Sequence, residues 1–168
     1  MIIDDNFLNE DQKKWLDHIF ESRRYTFEFV KSAHHDYDNA NHFQHIVLDR
    51  RGDQGSPLKE GLYYMLSEFC KKHSISFSKV LRCTINVFPP IKDSYKCNIH
   101  TDHPNEHNQL FIYLNDSSGD TVVTNKSHEQ ILQIVEPKKY RCFFFKNLPH
   151  FFYYPNSGLR KVALFTFT

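Results

Sequence analysis

Apolar residues recur with a helical period in two stretches of the first 75 positions and with a period of two through most of the rest. Trp15, Leu16, Ile19 and Phe20 fall on one face of a helix. Asn9 precedes them as an N-cap, with Glu10 and Asp11 in the first turn and Gln12 at the capping-box position. That pattern fades near Arg23-Arg24, and the alternation from Tyr25 to Val30 predicts a strand. A second stripe, Leu58, Leu62, Met65, Leu66 and Phe69, is opened by Ser56 and Pro57 as N-cap and first helical residue. Lys71-Lys72-His73 close it. Residues 32–55 between these elements are polar and rich in His, Asp and Asn, and predict a long loop. Loops of this length carry function or move.

From about residue 76 the elements become short and closely spaced. Over 80–88, Leu81, Cys83, Ile85 and Val87 alternate with Arg82, Thr84 and Asn86, and Pro89-Pro90 end the run. Further strands are predicted at 98–101, 109–114, 121–124, 130–135, 140–145, 151–154 and 160–167, separated by turn signals such as Pro155-Asn156-Ser157-Gly158. About eight strands after two helices predict a mainly β fold, a two-sheet jelly roll with the helices packed on one sheet. The expected organisation is one domain over 1–168, with helical support and the long loop in 1–75 and the jelly-roll core in 76–168.

Composition narrows the function classes. Lys plus Arg (21) nearly balances Asp plus Glu (20), so no global charge draws the chain to nucleic acid or anionic lipid. Arg50-Arg51 with Lys71-Lys72 is thin support for a nucleic-acid groove, and that partner is disfavoured. Four cysteines contain no Cys-x-x-Cys, and Cys83 and Cys142, inside apolar runs, read as buried free thiols. The N-terminus lacks a basic and then apolar leader, and no apolar run approaches a membrane span. A soluble, cytoplasmic protein is expected, its oligomeric state left open.

Eleven histidines are many for this length, and His34, His35, His42 and His45 cluster in the predicted loop. The informative pair is His100-Thr101-Asp102. In an extended chain residues i and i+2 point to the same side, about 6.6 Å apart, and can converge on one ion. On a helix they would diverge by about 200°. His150, after Leu148-Pro149, is the best candidate for a third ligand. Arg160 opens the last strand with Val162, Leu164 and Thr166 on its own face, where a guanidinium is costly to bury unless it meets an anion. Two His and one carboxylate match the facial triad of non-haem Fe(II) oxygenases. Zinc hydrolases commonly use His-Glu-x-x-His on a helix, which is absent. The nearby His103-Pro104-Asn105-Glu106-His107 has a proline and no apolar face, and does not read as a metal-binding helix.

From about Arg82 to the C-terminus the chain resembles the iron(II)- and 2-oxoglutarate-dependent dioxygenases, most closely the prolyl-hydroxylase-like branch. The resemblance rests on His100-Thr101-Asp102, Phe111-Ile112-Tyr113-Leu114-Asn115, Val135-Glu136-Pro137-Lys138, Phe143-Phe144-Phe145, and His150 with Arg160. Asp5-Asn6-Phe7-Leu8 also resembles the opening of such domains. It implies a double-stranded β-helix holding Fe(II) through His100, Asp102 and His150. Arg160 would pair with the far carboxylate of the cosubstrate 2-oxoglutarate, and Tyr113 would donate a phenolic hydrogen bond to it. Pro89-Pro90 stand where relatives often have a Tyr and a Gly-rich turn, and Tyr95 and Asn86 are the candidate polar contacts there instead.

The implied activity is oxidative decarboxylation of 2-oxoglutarate coupled to hydroxylation of an unactivated C–H bond, with O2 consumed and ascorbate an open addition. A prolyl or other peptidyl side chain is the favoured substrate, and a free amino acid or small metabolite the alternative. A catalytically silent jelly-roll binding module would be free to lose the ligands and Arg160, which are all present. A metal-dependent hydrolase on the same barrel leaves Arg160 without a role. The loop 32–55, with its histidines and Tyr37, is expected to help form the substrate mouth.

Overall fold

The computed structural model describes residues 1–31, 41–92 and 95–168. The first helix, α1 (Glu10–Glu21), follows strand β1 (Ile2–Asp4). Asn9 accepts from the Gln12 backbone N–H while the Gln12 side chain accepts from the Asn9 N–H, completing the capping box. The second helix, α2 (Lys59–Lys72), begins three residues later than Ser56. Ser56 does not cap it; its hydroxyl accepts from Leu58 N–H and meets His45 Nε2 at 2.8 Å, so Pro57 lies in a turn before the helix.

The expected loop 32–55 is replaced in its second half by strands. After β2 (Glu28–Val30) comes β3 (His42–Asp49), eight residues long, then β4 (Gly52–Asp53). β3 pairs antiparallel with β5 (Val80–Phe88) and belongs to the large sheet. Its inward positions include His42 and Gln44, both buried and both polar, so the strand carries no hydrophobic alternation. Residues 32–40, with His34, His35 and Tyr37, lie outside the described residues.

The remaining strands are β6 (Asn108–Tyr113), β7 (Thr121–Thr124), β8 (Ile131–Val135), β9 (Cys142–Lys146), β10 (His150–Phe152) and β11 (Arg160–Phe167). Residues 98–101 form no ladder and join the fold through a single bridge, His100 to His150. Among the described residues the large sheet runs β1-β9-β6-β11-β5-β3-β2, with β4 on β3, and a three-stranded sheet runs β10-β7-β8. The result is a two-sheet jelly roll of antiparallel strands backed by two helices.

The period of two sorts the large sheet into faces. Cys83 and Ile85, Leu110 and Ile112, Ala163 and Phe165 point to the helices and pack with Leu62, Leu66 and Phe69. Phe88, Phe111, Tyr113, Phe143, Phe145 and Val162 point the other way, toward Val122, Val123 and Phe152 of the small sheet. Fully burying each such phenylalanine contributes roughly 1.5–3 kcal/mol. The second cluster walls the cavity described next. No described helix is long and apolar enough to cross a membrane.

Candidate active site

Strand register decides which side chains meet. β11 lies between β5 and β6, with Arg160 opposite Phe88 and Val162 opposite both Asn86 and Tyr113. Even-numbered residues of β5 and β11 therefore share the face toward the small sheet. His150 opens β10 and is bridged to His100 by reciprocal backbone hydrogen bonds of 3.0 and 2.9 Å. That bridge brings the two imidazoles to a centroid distance of 4.4 Å. Asp102 Oδ2 lies 3.6 Å from His150 Nε2.

One ligand atom from each of His100, Asp102 and His150 lies within 4.8 Å of the others. His100 Nδ1 is 2.8 Å from the Asn98 carbonyl, which fixes the proton on Nδ1 and turns Nε2 into the lone-pair donor. Asp102 is held from both sides: Arg82 Nη1 donates to Oδ1 at 3.3 Å, and the fully buried Gln109 donates its side-chain amide to Oδ2. Two imidazoles and a carboxylate on one side of an ion suit a divalent first-row metal and leave its remaining positions open.

His100, Asp102, His150 and Arg82 line one cleft, partly open to solvent at its mouth. At its closed end Arg160 is 2% exposed, and among the described residues no carboxylate comes within ion-pair distance of it. Its Nε donates to the Gly119 carbonyl at 2.9 Å and its Nη2 to Thr121 Oγ1 at 2.8 Å. Phe152, Phe88 and Tyr113 surround the guanidinium, their centroids 4.7, 5.3 and 5.5 Å from its carbon. Burial pushes its pKa down, with Tyr113 opposing, a cost that a bound anion would offset.

Tyr113 is fully buried, and burial pushes its phenol up, so it stays a neutral donor. It donates to Thr121 Oγ1 at 2.7 Å and bears on the closed end through that hydroxyl. Asn86 lines the cleft, and its Oδ1 is buried with no hydrogen-bond partner among the described residues. Tyr95 is placed differently: its carbonyl accepts from Tyr154 N–H and its ring packs at a tilt against Tyr154, behind the cleft wall rather than among the residues lining it. His103 and His107 form a separate pair, with His103 Nε2 on Thr166 Oγ1 at 2.7 Å.

One cleft residue escaped the sequence reading. Thr121 accepts from both Arg160 and Tyr113, which occupies both lone pairs of its hydroxyl and leaves its O–H as the remaining donor. A small polar residue opening an apolar strand gives little signal. His42 lines the cleft and stacks on Phe88 at 5.0 Å.

No protein-family model matches the chain, and no curated protein matches it. Solved structures do. A 2OG-Fe(II) oxygenase family oxidoreductase from Burkholderia pseudomallei superposes with a TM-score of 0.77 at 14% identity, covering 96% of this chain and 81% of that one. The fold is that of the 2OG-Fe(II) oxygenases. A prolyl hydroxylase from Trichoplax adhaerens, in complex with a hypoxia-inducible-factor peptide fragment, gives 0.70 at 14% identity over 99% of this chain and 82% of that one. A prolyl-4-hydroxylase from Pseudomonas putida gives 0.65 at 14% identity over 99% and 90%.

Within this oxygenase fold, the donor set fits Fe(II) and the closed end fits a dicarboxylate. The fit rests on the chain's own atoms: three convergent ligand atoms and, among the described residues, a buried guanidinium with no carboxylate partner and an Asn86 Oδ1 with no donor.

Proposed function

We propose that this protein is an Fe(II)- and 2-oxoglutarate-dependent dioxygenase that hydroxylates an unactivated C–H bond. One observation carries the reading. A His–Asp–His cluster and a buried arginine with no carboxylate partner among the described residues line the same cleft. The overall reaction takes R–H, 2-oxoglutarate and O2 to R–OH, succinate and CO2. When bound, Fe(II) supplies the oxygen activation and the site for cosubstrate chelation.

The chain's own residues do the rest. His100, Asp102 and His150 would hold the ion, and the Asn98 carbonyl fixes the His100 ring for that purpose. Arg160 would receive the far carboxylate of 2-oxoglutarate, with the Thr121 O–H as a second donor and Tyr113 orienting Thr121. Asn86 would add a polar contact along the wall. The rings of Phe88, Phe111 and Phe152 exclude water from the reacting end. Tyr95 has at most an indirect part, through Tyr154.

Two neighbouring folds belong to prolyl hydroxylases, one of them holding a peptide, which supports a prolyl or other peptidyl side chain as substrate. A free amino acid or small metabolite is the second reading, favoured by the narrow cleft. The deciding experiment is anaerobic addition of Fe(II) and 2-oxoglutarate to metal-free protein. A weak visible charge-transfer band is expected, and His100→Ala should lose both the band and uncoupled succinate formation. Well-folded protein that binds Fe(II) and 2-oxoglutarate without the band would overturn the reading.

A further inference from the structure

The two arginines of the cleft stand on opposite sides of the metal ligands. Arg160 faces Phe88 across the β11–β5 ladder, whereas Arg82 faces Thr166, six residues further along the same face. That separation is roughly 20 Å along the strands. Arg160 is buried at the closed end; the Arg82 side chain is 23% exposed and lies at the mouth, its Nη1 3.3 Å from Asp102 Oδ1.

Charge pairing in the loaded cleft leaves Arg82 over. On the dioxygenase reading, the far carboxylate of 2-oxoglutarate is met by Arg160. The near carboxylate and Asp102 together balance a divalent ion. Arg82 meets Asp102 through one bond, Nη1 to Oδ1, while Oδ2 is the oxygen toward His150. Asp102 can therefore hold the ion through Oδ2 and keep Arg82, whose other donors remain for a ligand at the mouth. The neighbouring acid, Asp49, is already bound by Arg51 through backbone N–H, Nε and Nη2. Arg50 adds a further positive charge felt at the same rim, where it and Arg82 both act on His103. The mouth is therefore cationic although the chain as a whole is almost neutral.

We infer that the substrate carries a carboxylate close to the carbon that is hydroxylated, and that Arg82 receives it. A guanidinium offers paired donors that match a carboxylate in one plane. The group can be the free carboxylate of an amino acid or an acidic side chain in a peptide. This inference rests on the dioxygenase reading above.

The test uses Fe(II)- and 2-oxoglutarate-loaded protein under anaerobic conditions. The probes are the free L-amino acids, their carboxamides, and prolyl peptides with or without an adjacent glutamate. The readouts are perturbation of the charge-transfer band by each probe and, after oxygen is admitted, succinate release. Acid probes should bind at least about tenfold more tightly than the counterparts that lack the carboxylate. Preference confined to free amino acids identifies the α-carboxylate; preference confined to the glutamate peptides identifies the acidic side chain.

Arg82→Gln should abolish the discrimination in the fraction of protein that forms the band, and Arg82→Lys should retain part of it. Equal binding of acids and amides, no probe perturbing the band, or an acid preference that survives in Arg82→Gln would each overturn the inference. So would a loss of discrimination that only follows the loss of Fe(II) affinity in both folded variants, since Arg82 would then act through Asp102 alone. Failure of the wild-type band itself would instead remove the dioxygenase reading.

Discussion

Arg160 Nη2 donates a 2.8 Å hydrogen bond to the Thr121 hydroxyl at the closed end of the cleft. The Tyr113 phenol donates to the same oxygen. An anion entering there meets a guanidinium and a hydroxyl whose acceptor capacity is already filled. Thr121→Val keeps the shape and removes the O–H, and should weaken 2-oxoglutarate binding by about tenfold. Arg160→Met should weaken it by at least about 100-fold, with Arg160→Lys intermediate because an ammonium lacks the paired donors. Titration of the charge-transfer band measures all three. A Thr121→Val variant with wild-type affinity would show that the hydroxyl serves only to position Arg160.

Gln109 reaches the metal ligands from β6. It donates its side-chain amide to Asp102 Oδ2 and is wholly buried. Replacing it with Leu leaves the carboxylate less firmly aimed. Partners of this kind typically cost 10–100-fold in metal affinity when removed. Competition for Fe(II) against a chelator should show a loss of about that size. Unchanged affinity in Gln109→Leu would mean that Arg82 and the backbone alone orient Asp102.

What could be read from the sequence follows the range of the interactions involved. Helix α1 was legible because its stripe and its Asn9–Gln12 capping box are local. β5 and β11 were legible because their helix-facing residues are apolar and alternate cleanly. The His100–Asp102 spacing and Arg160 on an inward face pointed to the cleft before any contact was known. β3 was hidden because its buried inward positions include the polar His42 and Gln44, so no apolar period marks them. The start of α2 was misplaced because Ser56 is engaged by His45, eleven residues earlier and on another strand. Residues 98–101 look extended in sequence but bond to the fold through one bridge, a property of distant partners.

The N-terminal segment is tied to the sheet by a paired contact that predicts acid sensitivity. Arg141 Nε and Nη2 donate to the two oxygens of Asp5 at 2.6 and 2.9 Å. Chiefly through these bonds, the Asp5 pKa is held below its ordinary value. Because the folded value is the lower one, the stabilisation is fully present above the unfolded aspartate pKa, about 4, and is lost as pH falls through the folded value. Asp5→Asn should lower the melting temperature at pH 7 and flatten its fall below about pH 4. Parallel melting-temperature curves for the two proteins across that range would exclude this contact as a source of acid sensitivity.

Gly119 is the residue where the fold and the closed end of the cleft constrain each other. Its carbonyl accepts from Arg160 Nε. A methyl group in place of its hydrogen would collide with the Tyr153 carbonyl and come within 3.0 Å of Arg160 Cδ. The Tyr153 backbone cannot retreat freely, since its N–H is bonded to the Asp120 carbonyl at 2.9 Å. Gly119→Ala should therefore cost about 1–3 kcal/mol of stability, the usual range for overpacking. It should also displace Arg160, so that 2-oxoglutarate affinity falls in the protein that remains folded. Denaturant midpoints measure the first effect and band titration the second. Lost stability with intact affinity would mean that the strain is relieved on the Tyr153 side; intact stability would mean that the β7 entry is looser than this packing requires.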